Sequence, residues 1–393
     1  MSAGLRRLAA ATAGAVVIGL TLGSTAPAYA QLDGIDTSSL GLDEVEMIGS
    51  VVGSVGVGSL LGSIGPLGSS NFPLDGAGSQ QELKTPPRPR QDRITETKFV
   101  GITKAVGEYE YWLVESGEMQ REVIVEVLPS QVTEQGPAPV LYMLDGVDSP
   151  EGNSGYRRSV KIDEILRGEN VHMVAPTGAY SAYWSDWESE DPVLGYNKWE
   201  TFLTEELPGI VESQLAERGT PSNGNSAVGG VSMGGQAAMH LAATHPDLYQ
   251  GVMSISGYYS TTDELGYQSV RGAVEGRGGT LENMWGPRGS DRWKDHDTIS
   301  HVQGLEDTAV YFSAGNPKVG PADIEEYGDD YLKMTLGLLL EAGVRSGTEE
   351  FQRALERAGI DHLADYADTG FHNWHTFVPN IKPGWDYIKQ ALY

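Results

Sequence analysis

Cysteine is absent from all 393 residues. Its absence excludes thiol nucleophiles, thiolate metal ligands and disulfides, and it suits an exported protein that folds without redox help. Basic residues are also scarce, since 27 Lys and Arg stand against 54 Asp and Glu, which gives a formal charge of −27. A field of that sign repels phosphate backbones, so we expect no nucleic-acid partner.

Long apolar runs are missing beyond the amino terminus, so we expect no transmembrane span there. The first thirty residues read as a signal peptide: Arg6 and Arg7 precede an apolar stretch, residues 8–22, and Ala28-Tyr29-Ala30 places small residues at a cleavage site. A retained membrane anchor is the alternative, but this stretch is short and interrupted by Gly and Thr. We therefore expect export to the cell envelope or medium. The paired arginines leave open whether the general or the twin-arginine route is used.

Residues 31–92 differ in composition from the rest of the chain. Gly and Ser alternate with small aliphatic residues, and a Pro- and Arg-rich stretch follows at 85–90. Such a composition buries little apolar surface, which predicts a flexible linker. The alternative is a segment that associates weakly with the cell envelope through the apolar residues between 51 and 64.

From about residue 93 the pattern predicts an α/β domain that extends to residue 393. Short apolar runs bounded by Gly, Pro or Asp are typical of buried parallel strands, and helical patterns lie between them. Strands that alternate with helices predict a mostly parallel sheet covered on both faces. A polar, Gly-rich segment, about 260–304, is expected as an inserted cap. A first strand, Glu122–Leu128, alternates apolar and charged residues as a half-buried strand does. The other predicted strands are Val140–Leu144, Val171–Ala175, Ala227–Val231, Val252–Ile255, Ala309–Phe312 and His362–Ala367.

A G-x-S-x-G motif formed by Gly230, Ser232 and Gly234 follows one of these strands and precedes a helical stretch. In the α/β-hydrolase fold this sharp turn lifts a nucleophilic serine above the sheet, and glycines stand where side chains would collide. The motif alone is weak evidence, because an ordinary Gly-rich turn can match it. Its position between strand and helix makes Ser232 the predicted nucleophile of an α/β-hydrolase.

A serine nucleophile needs a histidine base, which this fold places after a late strand. His372 and His375 both follow the strand His362–Ala367, and His372 is preferred because it is nearer the strand end. His240 and His245 belong to the helix after Ser232. His296 and His301 lie in the polar insertion, where a metal site is the alternative interpretation, but no ligand spacing recurs. No metal or other cofactor is expected.

The acid that orients the histidine should follow the strand Ala309–Phe312. Asp323 is the candidate, with capping of the next helix as its alternative role. The tetrahedral intermediate also needs two backbone N–H donors. The residue after the nucleophile, Met233, should supply one of them, and Val147, in the loop after Val140–Leu144, should supply the other.

Six separated blocks carry patterns more specific than the serine motif: 141–146, 183–187, 198–208, 230–234, 283–287 and 372–374. Through these blocks the chain, over roughly residues 120–393, resembles the antigen 85-type mycolyltransferases, which belong to the esterase D-like α/β-hydrolases. The resemblance implies transfer of a mycolyl chain from trehalose monomycolate, through a serine ester, to a sugar, cell-wall or protein acceptor. It supports the assignment of Ser232, His372, Val147 and Met233, and it places Asp145 and Trp374 near the bound sugar.

This chain departs from the family pattern at two positions. Asp148 stands where the family has a basic residue, and the loop that should carry the acid is longer and offers Asp323. Trp187 and Trp285 are further candidates for substrate contact, because flat rings suit sugars or lipid chains, although each could be a core residue. The alternatives to a transferase are a secreted carboxylesterase that uses water as acceptor and an inactive envelope-binding homologue.

Overall fold

The computed structural model describes residues 87–327 and 331–393. In these residues nine strands form one sheet in the order β1-β2-β3-β5-β4-β6-β7-β8-β9. The strands from β5 to β9 along this order are parallel, and β1, β2 and β3 add an antiparallel edge. The strands are β1 Lys98–Val106, β2 Tyr109–Ser116, β3 Arg121–Leu128, β4 Ala138–Leu144, β5 His172–Pro176, β6 Ser222–Val231, β7 Gly251–Ile255, β8 Ala309–Ala314 and β9 His362–Tyr366.

Helices connect the parallel strands. The α-helices are α1 Ile162–Ile165, α2 Leu207–Glu217, α3 Met233–Thr244, α4 Glu264–Glu275, α5 Leu281–Trp285, α6 Asp291–Asp295, α7 Pro321–Tyr327, α8 Tyr331–Ala358 and α9 Trp374–Ile388. A helical turn, Trp199–Thr201, and a π-helix, Phe202–Glu206, lead into α2, and a second π-helix, Tyr156–Val160, precedes α1. The remaining short helices are 3-10 turns: Thr133–Gln135, Thr298–Leu305 and Lys389–Ala391. In the described part of the chain, no helix combines the length and apolarity needed to cross a bilayer.

The sheet is covered on both faces because successive residues of its central strands point in opposite directions. In β4, for example, Val140 and Tyr142 belong to one apolar cluster, whereas Leu141 and Met143 belong to the other. The first cluster includes side chains of α2, α3 and α8, and the second includes those of α9. This two-layer burial explains why the central strands are continuous apolar runs rather than alternating patterns.

The segment between β7 and β8 contains α4, α5 and α6, within the residues expected as an insertion, 260–304. It packs on a loop that follows β5. Asp191 of that loop accepts hydrogen bonds from Thr280 N and Asn283 Nδ2, both at 2.9 Å. Trp285 Nε1 donates to Ser185 Oγ at 3.1 Å. Side chains of the insertion, among them Trp285, belong to the same apolar cluster as those of α3, so the insertion packs on that face of the sheet.

The predicted linker, 31–92, extends too far toward the domain. Residues 87–92 lie on the domain surface, where the Arg88 guanidinium pairs with Glu151 at 2.7 Å and with Glu122 at 2.5 Å. Gln91 N donates to the backbone carbonyl of Gln120 at 2.7 Å. The packed chain thus begins before residue 93. The predicted signal peptide, 1–30, and the rest of the linker lie outside the described residues.

Candidate active site

Ser232 lies in the sharp turn between β6 and α3. Its backbone has φ 56° and ψ −124°, a conformation that L-residues rarely adopt. The neighbouring glycines make the turn possible, because a Cβ at Gly230 would overlap the carbonyl oxygen of Gly234, and one at Gly234 would overlap that of Leu144. The turn is further held by Ser232 N, which donates to Ile255 O at 2.8 Å. The G-x-S-x-G spacing is therefore a steric requirement of this turn.

His372, in the loop between β9 and α9, meets this serine. Its Nε2 lies 2.7 Å from Ser232 Oγ, and its ring is buried. The backbone N–H of His372 donates to Gly337 O of α8 at 3.3 Å. By contrast, His375 is exposed and its Nε2 lies 3.0 Å from Glu326 Oε2. The structure therefore brings His372, rather than His375, to the serine.

The carboxylate that contacts His372 is Glu341 of α8, so the expectation of Asp323 was wrong. His372 Nδ1 lies 2.7 Å from Glu341 Oε2. The Glu341 side chain is fully buried, and its other oxygen accepts from Ser256 Oγ at 2.8 Å and from Gly315 N at 2.6 Å. With both oxygens bonded, this carboxylate can hold the imidazole in one tautomer and one orientation.

Asp323 is also buried, but it binds the loops around the histidine rather than the imidazole. Its Oδ2 accepts from Gly320 N at 2.8 Å, and its Oδ1 accepts from Asn373 Nδ2 at 3.3 Å. Asn373 in turn caps α9, since its Oδ1 accepts from Thr376 N at 3.1 Å. A loop and α7 separate β8 from α8. The carboxylate that contacts the histidine, Glu341, belongs to α8.

The two expected oxyanion donors belong to segments that adjoin Ser232. Met233 is the first residue of α3, and the early N–H groups of a helix have no intrahelical acceptor. Val147 belongs to the loop after β4. Gly146 of that loop lies against the serine, because a Cβ on it would sit 3.4 Å from Ser232 Cβ and 3.9 Å from Ser232 Oγ. Met233 thus directly follows the serine, and Val147 directly follows a residue that lies against it.

Asp145 and Trp374 both lie against Gly155. Both carboxylate oxygens of Asp145 accept from Gly155 N, at 3.0 and 3.1 Å, and the Trp374 ring lies directly against Gly155. Burial raises the pKa of Asp145 to about 7, and the nearby Glu126 carboxylate adds to the effect. Trp374 Nε1 is buried without an acceptor among the described residues.

Trp187 and Trp285 do not line the site, so their prediction as substrate contacts was wrong. Both rings are fully buried, and their N–H groups are used internally, by Ala182 O for Trp187 and Ser185 Oγ for Trp285. Trp285 stacks on the imidazole of His296 with ring centroids 4.3 Å apart. These tryptophans therefore belong to the core between the insertion and the loop after β5.

The imidazole ring of His240 in α3 packs against the rings of two histidines of the insertion, His296 and His301. His240 stacks on His296 at 5.2 Å and meets His301 edge-on at 5.9 Å. Burial lowers the pKa of His240 to about 3, so its imidazole is neutral at physiological pH. Within residues 87–327 and 331–393, no group of three or more His, Asp or Glu side chains is arranged to hold a metal ion.

The sheet order, its two covered faces and the strained serine turn define an α/β-hydrolase fold. The Esterase family model matches residues 116–385. Over 293 residues the chain is 33% identical to the diacylglycerol acyltransferase/mycolyltransferase Ag85A of Mycobacterium leprae, covering 72% of this chain and 83% of that protein. The same enzyme of Mycobacterium tuberculosis (strain ATCC 25618 / H37Rv) is 30% identical over 292 residues, covering 72% and 81%.

Two solved structures share the fold. Mycobacterium tuberculosis MPT51 (FbpC1) superposes with a TM-score of 0.60 and 25% identity, over 73% of this chain and all of that one. An S-formylglutathione hydrolase from Agrobacterium tumefaciens reaches a TM-score of 0.55 with 16% identity, over 75% and 99% of the two chains. The chain therefore belongs to the esterase family of α/β-hydrolases, and both the predicted fold and the resemblance to antigen 85 proteins are confirmed.

The different contacts of Glu341 and Asp323 predict different effects on the reactivity of Ser232. Glu341→Gln should slow labelling of Ser232 by a fluorophosphonate probe by about 100-fold or more, because the imidazole loses its anionic partner. Asp323→Asn keeps the shape of a side chain that does not touch the imidazole, and its labelling rate should stay within about threefold of the parent. Equal effects of the two substitutions, at matched melting temperatures, would contradict the assignment of Glu341.

The raised pKa of Asp145 predicts that this carboxylate destabilises the fold at neutral pH. Its pKa is about 7 in the folded protein against an ordinary 3.8, so between these pH values the folded protein keeps a proton that the unfolded chain releases. The carboxyl therefore has no destabilising effect below about pH 4, and its destabilising effect grows as the pH rises to about 7. One pKa unit corresponds to about 1.4 kcal/mol, and the full effect is roughly 4 kcal/mol as an upper limit.

Asp145→Asn should therefore stabilise the protein at pH 8 and have little effect at pH 4, as measured by denaturant unfolding at both pH values. Asp307→Asn, at an exposed position, is the matched control and should show no such pH-dependent gain. A variant that is less stable than the parent at pH 8 would contradict the predicted ionisation of Asp145.

Proposed function

We propose that this protein is an exported serine acyltransferase that moves a mycolyl chain from trehalose monomycolate to a hydroxyl acceptor. The observation that carries the proposal is the hydrogen-bonded chain Ser232–His372–Glu341, with both contacts of the imidazole at 2.7 Å. The identity to proteins named as mycolyltransferases supports the choice of acyl group. Other members of the fold are named as hydrolases, so the acceptor has to be established by experiment.

In the first half-reaction Ser232 Oγ attacks the ester carbonyl of the donor, and His372 Nε2 takes the hydroxyl proton. Glu341 stabilises the imidazolium that results. The carbonyl oxygen becomes an oxyanion and receives hydrogen bonds from the N–H groups of Val147 and Met233. Collapse of this intermediate breaks the ester bond, and His372 returns the proton to the departing trehalose oxygen. The mycolyl chain is then esterified to Ser232.

The second half-reaction reverses these steps with a different alcohol. His372 removes the proton from an acceptor hydroxyl, which attacks the serine ester, and the proton is then returned to Ser232 Oγ. The acceptor could be a second trehalose monomycolate, a cell-wall sugar or a protein. Asp145 and Trp374 would hold the sugar, because the Asp145 carboxylate can accept hydroxyl hydrogen bonds and Trp374 Nε1 can donate one.

Incubation of the purified protein with labelled trehalose monomycolate tests the proposal. We expect release of trehalose and formation of an acylated acceptor in excess over free mycolic acid. Ser232→Ala should reduce the rate by about 1000-fold or more, because only binding and oxyanion stabilisation are left. No release of trehalose, or equal rates for parent and Ser232→Ala, would contradict it. Free acid as the main product would instead support the carboxylesterase alternative.

Export is a separate part of the proposal and rests on the residues around position 30. If the signal peptide is cleaved after Ala30, amino-terminal sequencing of the protein from the cell envelope or medium should begin at Gln31. Replacement of Ala28 and Ala30 by bulky residues should block this processing, since the peptidase requires small side chains there. A mature protein that retains residues 1–30 would support the membrane-anchor alternative.

A further inference from the structure

The insertion reaches the loop after β4 through a buried ion pair. Arg277, which follows α4, places its Nη2 3.1 Å from Asp148 Oδ1, and the Arg277 side chain is only 3% exposed. Asp148 directly follows Val147, an expected oxyanion donor. The same guanidinium lies over the ring of Tyr180, 5.7 Å from its centroid. A side chain of the insertion thus contacts two loops beside the serine.

The second of these loops, residues 178–184, is named here the bracing loop because it hydrogen-bonds to both expected oxyanion donors. Ser181 N donates to Val147 O at 2.8 Å. Tyr183 N contacts Met233 Sδ at 3.3 Å. At the base of the loop after β4, Trp184 Nε1 donates to Asp145 O at 3.0 Å. The bracing loop therefore restrains the backbone of the loop after β4 and also contacts the Met233 side chain.

The backbone of the bracing loop is strained. Ser181, Tyr183 and Trp184 have φ of 51°, 55° and 52°, in the left-handed region that favours glycine. Such a conformation persists only where the surrounding contacts hold the residue in place. A strained loop can relax when one of its contacts is lost. Side chains that restrain the bracing loop therefore affect the position of the expected oxyanion donors that it contacts.

We propose that Arg277 is a positioning residue for the oxyanion hole, an inference that rests on the function proposed above. Its ion pair with Asp148 and its contact with Tyr180 join the loop after β4 to the bracing loop, so that the Val147 N–H stays directed at the developing oxyanion. The direction of a backbone N–H group is fixed by the conformation of its loop, so neighbouring groups have to maintain it. Arg277 connects this orientation to the insertion.

Replacement of Arg277 by Met tests this role, because it removes the guanidinium while Asp148, with a side chain 21% exposed, can still be hydrated. Loss of one oxyanion donor lowers kcat by about 100- to 1000-fold, so a displaced donor should lower it by roughly tenfold or more. KM for a p-nitrophenyl ester should change less than about threefold, since the lost interaction belongs to the transition state. Arg277→Lys, which retains the charge, should recover most of kcat.

The matched control is Arg288→Met, which breaks an exposed ion pair with Glu264 in the same insertion, 2.8 Å in length. Its kcat should equal that of the parent. The pH dependence of kcat should keep the same inflections in Arg277→Met, because the Ser232–His372–Glu341 chain is untouched. Active-site titration with a fluorophosphonate gives the fraction of folded enzyme, so a smaller amount of active protein is not mistaken for a lower kcat.

The outcomes separate failure of this inference from failure of the proposed function. If Ser232→Ala retains the activity of the parent, the proposed function fails, whatever Arg277→Met does. If Ser232→Ala is inactive but Arg277→Met has the kcat of the parent, the positioning role is overturned. An effect on KM alone, a shifted pH profile, or a loss that Arg288→Met shares would overturn it as well.

Discussion

The contact between Ser232 Oγ and His372 Nε2 joins residues 140 positions apart, and the parallel sheet makes it possible. β6 ends directly before Ser232, and β9 ends a short loop before His372. Because parallel strands end at the same edge of a sheet, the two side chains leave the sheet on the same side. The serine then needs a backbone conformation that is possible only because Gly230 and Gly234, two residues before and after it, have no side chains. The contact between the serine and the histidine therefore depends on the strand direction and on the steric space at the turn.

The third group reaches the histidine by a different route, along a helix. Met334, Leu338, Glu341 and Thr348 recur at helical spacing on the buried face of α8, so Glu341 is a carboxylate in the middle of an apolar face. Burial of a carboxylate is unfavourable unless hydrogen bonds compensate for it, and His372, Ser256 and Gly315 provide them. A charged residue on the apolar face of a helix was the signal in the sequence that could have identified it.

Chain order alone could not find Glu341, because the fold specifies the acid only as a residue after β8. Asp323 fits that description, and it is buried beside the histidine loop, but its oxygens are occupied by Gly320 and Asn373. The distance along the sequence from β8 does not indicate whether a loop or a helix carries the acid. This choice depends on the tertiary packing of α8.

The central strands were predictable because burial on both faces leaves an unambiguous apolar run between turn residues. The edge strand β1 was not predictable in the same way. β1 is mostly exposed, with Val100 and Ile102 open to solvent, so its pattern carries no burial signal. α9 was missed because Pro379 and Pro383 interrupt it. The positions of the tryptophans were also not predictable, because the sequence does not show whether a ring such as Trp285 lines a groove or fills a core.

The unfavourable features of the structure gather at one edge of the sheet. The buried Asp145, the strained backbone of Ser232 and the left-handed residues of the bracing loop all lie beside the ends of β4, β5 and β6. Strain of this kind persists only where the surroundings over-determine the conformation. The apolar layer on the face covered by α3 supplies that constraint, since Trp184 and Met233 belong to it. The insertion packs on the same layer and adds a second restraint through Arg277. An edge braced by both can hold polar groups in an orientation that an unbraced loop would lose by relaxing.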